Sequence, residues 1–257
     1  MSGRFEAFGT SHYLVLALFM VGAVVIVWLG RRVRHSALEL RARRAFAVAI
    51  VVVALPMQIL QFLPGDWDLA TSLPLQLCDL ACIMSVYALW TRRPWAAALT
   101  YYWGLTLTTQ AMITPALSQD FPNPRFIGFW AMHAFVVWAA LYLTFGLGIR
   151  RTWQLFRFTV LTTSAYAALV MLFNFGVGTN YGYLNRKPSS ASILDILGPW
   201  PGYVLAEIAI VTVVWALITW PWIVSRTPAV IPATPTAKHV SAIKPSEAAQ
   251  ASAEEAS

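Results

Sequence analysis

Apolar residues along this chain come in long blocks that short polar connections separate. Seven such blocks can be marked, and they cover about residues 12–29, 45–63, 70–90, 95–114, 126–146, 155–176 and 202–223. Each block has roughly the 17 to 25 residues that a helix needs to cross a bilayer. The pattern therefore predicts an all-α, polytopic membrane protein with seven transmembrane helices.

Composition supports a membrane protein and divides the chain into two parts. Hydrophobic residues make up 58% of the sequence and charged residues 11%, whereas a soluble domain carries about a quarter charged residues. From Ser225 onward the sequence is rich in Ala, Pro, Ser and Thr. We predict a transmembrane domain over residues 1–225 and a disordered cytoplasmic tail over 226–257. The first block is followed at once by "RRVRH", without a small-residue cleavage site, which favours a retained helix over a signal peptide.

Arginine residues are concentrated in alternate connections between the blocks. They are Arg31, Arg32, Arg34, Arg41, Arg43 and Arg44 after the first block, Arg92 and Arg93 after the third, and Arg150, Arg151 and Arg157 after the fifth. Basic residues favour the cytoplasmic side, so we expect the N-terminus outside and the C-terminus in the cytoplasm. The formal net charge of +7 then reflects topology in a plasma membrane, with lipids as partners and no nucleic acid.

Polar side chains within the blocks fall in the outer half of the membrane under this topology. Cys78 is about eight residues into the third block, or roughly 12 Å deep, and His133 about seven residues into the fifth, or roughly 10 Å deep, at 1.5 Å per residue. The inner halves contain almost no such groups. The others at this level are Gln58, Gln61, Gln110, Asn174 and Glu207.

A candidate nucleophile lies in the stretch "LPLQLCDLACIM", residues 73–84. On a helix Cys78 and Cys82 would share a face, and Gln76 and Asp79 would extend that face into a polar half. A single buried cysteine usually acts as a small hydrophobic residue. The carboxylate and amide around Cys78 favour a functional role instead.

His133 is the histidine that lies inside an apolar block, at the depth expected for Cys78. A neighbouring imidazole that takes the thiol proton turns a cysteine into a strong nucleophile. Its second ring nitrogen needs an orienting partner, for which Asp79, Asn174 and Glu207 are candidates. These side chains have a simpler interpretation as hydrogen bonds between helices.

A metal site is a weaker interpretation of the same residues. Cys78, Cys82 and His133 would supply three zinc ligands, but their spacing does not select for zinc. We predict no metal and no cofactor.

The longest outer connection is "GTNYGYLNRKPSSASILDILGPWPG", residues 178–202. Its Tyr181, Arg186 and Lys187 suggest a lid that presents basic groups to a lipid phosphate. The alternative is an aromatic belt at the membrane interface.

Several motifs in order resemble a known family. "LPLQLCDL", "FWAMH", "NFGVGTNYGYLNRKP" and "LDILGPWPGY" are similar to motifs of the YwaF-like integral membrane family of bacteria, which is related to vertebrate transmembrane protein 164. The resemblance covers most of residues 1–223. The vertebrate relative is described as a cysteine-dependent acyltransferase that loads polyunsaturated chains onto ether phospholipids, which implies Cys78 as nucleophile and His133 as its partner. Gln76 departs from the bacterial pattern, in which this position is often histidine.

These observations predict a membrane-embedded acyltransferase that acts on phospholipid or lysophospholipid. A lipid hydrolase would use the same pair if water reached the thioester. The rival hypotheses are a transporter or binding protein that uses the polar pocket without covalent chemistry, and a lipid sensor or structural partner in an envelope complex. The chain shows no internal repeat, which does not favour the common transporters built from inverted repeats.

Overall fold

The computed structural model describes residues 3–115, 117–188 and 193–225. Eight α-helices occur in these ranges, together with two π-helices (π1 and π2) and two short 3-10 turns. The helices are α1 Thr10–Val33, α2 Glu39–Gln61, α3 Leu77–Thr91, α4 Pro94–Tyr102, π1 Trp103–Thr108, α5 Thr109–Ile113, α6 Pro124–Leu141, π2 Tyr142–Gly146, α7 Trp153–Val177 and α8 Gly202–Val224, and the turns are Tyr181–Tyr183 and Ile193–Leu197.

The all-helical prediction is confirmed for the described residues, whose only β-type pairing is an isolated bridge between Arg4 and Gln119. Five helices are long and apolar enough to cross a membrane: Thr10–Val33, Glu39–Gln61, Pro124–Gly146, Trp153–Val177 and Gly202–Val224. They correspond to the first, second, fifth, sixth and seventh predicted blocks. The predicted tail, 226–257, lies outside the described residues.

The third predicted block is helical only from Leu77, which leaves α3 with 15 residues. The depth predicted for Cys78 assumed a helix from residue 70, whereas Cys78 lies in the first turn of α3. Pro74 has no N–H to donate, and the surrounding main chain is bonded by tyrosine side chains instead. Tyr181 Oη accepts from Leu73 N at 3.0 Å, and Tyr166 Oη donates to Leu75 O at 2.7 Å.

The fourth predicted block forms one helical run, α4–π1–α5, at the centre of the bundle. All residues from Ala96 to Tyr102 are buried, and α4 packs against α3, α6 and α7. The helix Pro124–Gly146 is also central, with 61% of its most apolar window buried, whereas the other four spans have 11–22% buried. The peripheral helices therefore offer their apolar side chains to lipid.

Local sequence signals set the ends of the helices around the site. Asn123 Oδ1 accepts from Arg125 N at 2.8 Å, and Pro124 begins α6, where a missing N–H costs little. At the far end of α7, Gly178 adopts a left-handed conformation with φ +77°, which glycine tolerates better than other residues. These signals fix where the adjoining connections begin or end.

Two arginines that the sequence interpretation had assigned to loops are buried in the bundle. Arg43 donates to Leu89 O at 2.5 Å, near the C-terminus of α3. Arg151 is 1% exposed, donates to Thr144 Oγ1 at 2.6 Å and lies 4.7 Å above the ring of Tyr101. Burial lowers the pKa of Arg151 to about 10, so it stays charged at neutral pH. The end of the bundle opposite Cys78 thus holds buried polar groups of its own.

Helix α1 is attached to the bundle through glycine contacts. A Cβ at Gly22 would lie 2.0 Å from the Trp138 ring, and one at Gly30 would lie 2.7 Å from the Cα of Gly146 in π2. Small residues allow such close approach between membrane helices. Only His12 and Gly30 of α1 are buried, so these contacts carry most of its packing.

Candidate functional site

Cys78 lies at the start of α3, where it is half-buried. Cys82, one turn further along, is buried at 6% exposure. The two thiols therefore differ in access: a reagent or substrate that reaches the start of α3 meets Cys78 first.

Two polar side chains flank Cys78. Asp79 Oδ2 accepts from the main-chain N–H of Gln76 at 3.2 Å, and its Oδ1 lies 4.0 Å from Cys78 Sγ. The side-chain oxygen Oε1 of Gln76 accepts from the main-chain N–H of Gly182 at 2.9 Å. The start of α3 is thus bonded to the loop that follows α7.

His133 is 3% exposed on α6, and its ring orientation is fixed by its own helix. Nδ1 lies 2.7 Å from the carbonyl oxygen of Phe129. Because a carbonyl oxygen only accepts, Nδ1 must carry the proton, and neutral His133 then has its lone pair on Nε2. The Phe129 ring lies against the imidazole with ring centroids 4.0 Å apart. The orienting partner is therefore a main-chain carbonyl and not Asp79, Asn174 or Glu207.

The helices that carry the two candidate residues pack against each other. Helix α3 packs against α6, and π1 contacts both. Among the described residues, no hydrogen bond joins Cys78 and His133. The side-chain contact of the Cys78 thiol is the long one to Asp79 Oδ1. A π-helix widens a helix locally and is frequent at functional sites, and here it borders both elements that carry the candidate pair.

Asn174 organises the loop that follows α7. Its Nδ2 donates to Tyr181 O at 2.9 Å and to Asn185 Oδ1 at 3.0 Å, and its Oδ1 accepts from Thr179 Oγ1 and Tyr181 N, both at 2.8 Å. Asn174 is 1% exposed. Its four bonds hold the loop against the end of α7, which differs from the predicted role beside His133.

Replacing Asn174 by alanine should destabilise the protein by about 2–3 kcal/mol, because it leaves buried donors and acceptors of Thr179 and Tyr181 without partners. The measurement is unfolding in detergent micelles followed by tryptophan fluorescence. Asn180→Ala is the control, with an expected loss below about 1 kcal/mol, because its partners Asn185 and Arg186 reach water. Equal losses in the two variants would contradict this account of Asn174.

Tyr181, predicted as part of a lid, is a fully buried anchor. Its exposure is 0%, and its hydroxyl donates to Leu69 O at 2.7 Å while it accepts from Leu73 N. Tyr203 is equally buried, and its hydroxyl donates to Tyr183 O. The described part of the connection is a packed cap over the start of α3.

The remaining predicted residues lie around this cap. Arg186 is exposed, and Lys187 is half-buried, 4.0 Å from the Asp195 carboxylate and 5.7 Å above the Tyr203 ring. Glu207 is half-buried on α8, near Tyr203, and makes no hydrogen bond to a described residue. The structure therefore gathers Gln76, Cys78 and Asp79, with α6 beside them, and leaves Glu207 apart. The described residues contain no group of three or more His, Cys, Asp or Glu able to hold a metal ion.

Sequence reasoning missed three contributors to this region. Tyr166 binds Leu75 O and lies close enough to Cys78 and Asp79 to interact electrostatically. Gly182 has φ +66°, and a Cβ there would lie 3.4 Å from Tyr166 Oη. The glycine between two tyrosines in "NYGYLN" is a signal for such a turn. The third contributor is the Phe129 carbonyl, which the sequence cannot reveal because every residue type has a main-chain carbonyl.

Long apolar helices around a buried central pair define an all-α integral membrane protein, with a half-buried cysteine at the start of one inner helix. This chain belongs to the TMEM164 family, whose family model matches residues 7–219. Neither the curated proteins nor the solved structures gave a significant match.

Proposed function

We propose that this protein is a membrane-embedded acyltransferase that acts on phospholipid acyl chains, with Cys78 as nucleophile and His133 as its base. The observation that carries the proposal is the tautomer of His133. The bond from Nδ1–H to the Phe129 carbonyl leaves Nε2 as a proton acceptor, on a helix that packs against the one carrying Cys78. Membership of the TMEM164 family and the similarity to a family with a cysteine-dependent acyltransferase support the same chemistry.

The reaction would proceed in two transfers. Nε2 of His133 takes the thiol proton while Sγ of Cys78 attacks the ester carbonyl of a donor lipid, and the protonated imidazole then returns this proton to the leaving oxygen. The product is a thioester on Cys78. An acceptor hydroxyl of a lysophospholipid attacks the thioester in the reverse sequence, which regenerates the thiol.

Helix lengths are compatible with this pairing if the protein has seven spans. Fifteen residues of α3 extend about 22 Å from the Arg92 end, so Cys78 would lie about 8 Å below the opposite boundary of a roughly 30 Å hydrocarbon layer. His133 lies nine residues after Pro124, or about 14 Å along α6. The two residues would then lie at depths that differ by about 6 Å along the membrane normal.

The orientation that we propose has the N-terminus outside and the C-terminus in the cytoplasm of a plasma-membrane protein. In a variant with Cys78 and Cys82 replaced by serine, Gly65→Cys should react with an impermeant maleimide from outside intact cells. Gly65 is exposed, and a Cβ there meets nothing within 4 Å. The control Leu38→Cys, in the arginine-rich connection, should react only after permeabilisation. The opposite pattern would invert the topology and place the site on the cytoplasmic side.

A test of the proposed function is the formation of an acyl-enzyme. Purified protein is incubated with phospholipid in nanodiscs, and intact mass is measured before and after hydroxylamine treatment. The expected result is a mass increase of one acyl chain that hydroxylamine removes, together with transfer to added lysophospholipid. Wild-type protein that binds lipid tightly but never carries an adduct would overturn the proposal.

A second candidate function is a lipid-binding membrane protein without covalent chemistry. The observation in its favour is that the thiol of Cys78 faces the Asp79 carboxylate at 4.0 Å and not His133. In this role Gln76, Asp79 and the exposed Arg186 would bind a polar headgroup. Absence of the adduct with retained lipid binding is the result that distinguishes it.

A further inference from the structure

We propose that the side-chain amide of Gln76 is a further catalytic residue, the donor that stabilises the oxyanion when Cys78 attacks an ester carbonyl. This inference rests on the proposed acyltransferase function and adds a residue to it. Gln76 immediately precedes α3, two residues before the nucleophile. The position places an uncharged donor beside the reacting sulfur.

The amide of Gln76 has one end fixed and the other end open. Its Oε1 accepts from the N–H of Gly182 at 2.9 Å, which sets the orientation of the amide plane. Its Nε2 has two N–H donors, and no acceptor among the described residues takes either of them. Gly182 is itself held close, because a Cβ at this position would lie 3.4 Å from Tyr166 Oη. The loop thus fixes the oxygen end of the Gln76 amide and leaves its donor end without an acceptor among the described residues.

The first turn of α3 supplies main-chain donors at the same place. The N–H groups of Leu77 and Cys78 are in the part of a helix that has no main-chain acceptor within the helix. No oxygen of the described residues accepts from them, and the Cys78 N–H lies against its own thiol sulfur. Asp79 N, in contrast, donates to Gln76 O at 3.0 Å. An oxygen that carries developing negative charge would therefore meet the Gln76 amide, two main-chain N–H groups and the positive end of the helix dipole.

The role follows from where the electrons go. When Sγ of Cys78 bonds to the carbonyl carbon, the π electrons of the C=O bond move to oxygen, and the thiol proton moves to Nε2 of His133. The tetrahedral intermediate then collapses, the C–O bond to the leaving alcohol breaks, and the imidazolium proton goes to that alcohol oxygen. Donors fixed before the reaction stabilise the oxyanion more than the neutral ester. Gln76 would lower this barrier without changing the thiol.

The test compares two reactions of Cys78 in the purified full-length protein in nanodiscs. Acylation by 4-nitrophenyl palmitate passes through an oxyanion, whereas alkylation by an N-alkyl iodoacetamide does not. We expect Gln76→Ala to slow acylation by about 10²–10³-fold, as for loss of an oxyanion donor in other acyl-transfer enzymes, and to leave the alkylation rate unchanged. Gln76→Glu keeps an oxygen for Gly182 N–H and removes the donor, so it should also slow acylation and serves if the alanine variant does not fold.

The control is Gln110→Ala, because Gln110 Nε2 donates to Thr114 Oγ1 in its own helix at 2.9 Å, and both rates should stay as in the wild type. Acylation of Gln76→Ala at the wild-type rate would overturn the inference. An equal fall of acylation and alkylation would overturn it as well, since Gln76 would then act on the thiol or on the fold. Failure of the proposed function has a different result: the wild-type protein is alkylated but never acylated, and the role of Gln76 fails with it.

Discussion

Cys78→Ser is expected to abolish acyl transfer and the hydroxylamine-sensitive adduct while the protein stays folded. Serine has nearly the size of cysteine, and Cys78 is half-buried at a helix start, so the substitution has little packing to disturb. A hydroxyl holds its proton far more tightly than a thiol and needs a much stronger base to become a nucleophile. The loss should therefore be complete on the scale of the assay, which follows lipid turnover beside intact mass.

Cys82→Ser is the matched control for this experiment. Cys82 is on the same helix one turn away, at 6% exposure among core residues. The substitution places a hydroxyl in the core and should lower stability modestly, with turnover per folded molecule close to wild type. Full turnover by Cys78→Ser, or an adduct that maps to Cys82, would contradict the assignment of the nucleophile.

His133→Gln is expected to lower the rate of acyl transfer by about 10²–10⁴-fold, the usual contribution of a general base. Glutamine retains an N–H for the Phe129 carbonyl but has no group that takes a proton at neutral pH. Alkylation of Cys78 by iodoacetamide should slow in parallel, because the base acts on the thiol before any carbonyl is attacked. This parallel loss distinguishes His133 from Gln76, whose replacement should affect acylation alone.

The control is His12→Gln, which changes a second buried histidine. His12 is 0% exposed, accepts from Phe8 N at 2.9 Å and lies 3.0 Å from Met112 O. Its replacement should reduce stability but leave turnover per folded molecule unchanged. If both histidine variants lose activity to the same extent, or if neither does, His133 is not the base.

Sequence periodicity predicted the elements whose structure depends on apolar length alone. Five of the seven blocks are long apolar helices. Four of them are peripheral, and a peripheral membrane helix must present an apolar surface to lipid along its whole length. The start of the third helix was predicted too early, because residues 70–76 continue the pattern of the apolar block. In the structure tyrosine side chains bond the main chain around Pro74, and the helix begins only at Leu77. The fourth block is buried by other helices and needs no continuous apolar surface.

In the candidate site the sequence identified reactive side chains but not the main-chain groups that bond to them. Cys78 and His133 were found because a thiol and an imidazole are rare within apolar blocks. The Phe129 carbonyl that orients His133 and the Gly182 amide that orients Gln76 are main-chain groups, which every residue type possesses. Arg43 and Arg151 were assigned to loops because arginine is usual there, and only the helix packing shows that they are buried.

The glycine-mediated attachment of α1 also bears on how the chain is made. Its partners are Trp138 in α6 and Gly146 in π2, which leave the ribosome only after α1 to α5. Since chains fold from the N-terminus during synthesis and membrane helices insert before they associate, α1 must remain in the bilayer as a solitary span while most of the bundle is translated. Most of the α1 surface faces lipid, which suits a helix that waits for its partners. The contacts of Gly22 and Gly30 form once α6 and π2 are inserted.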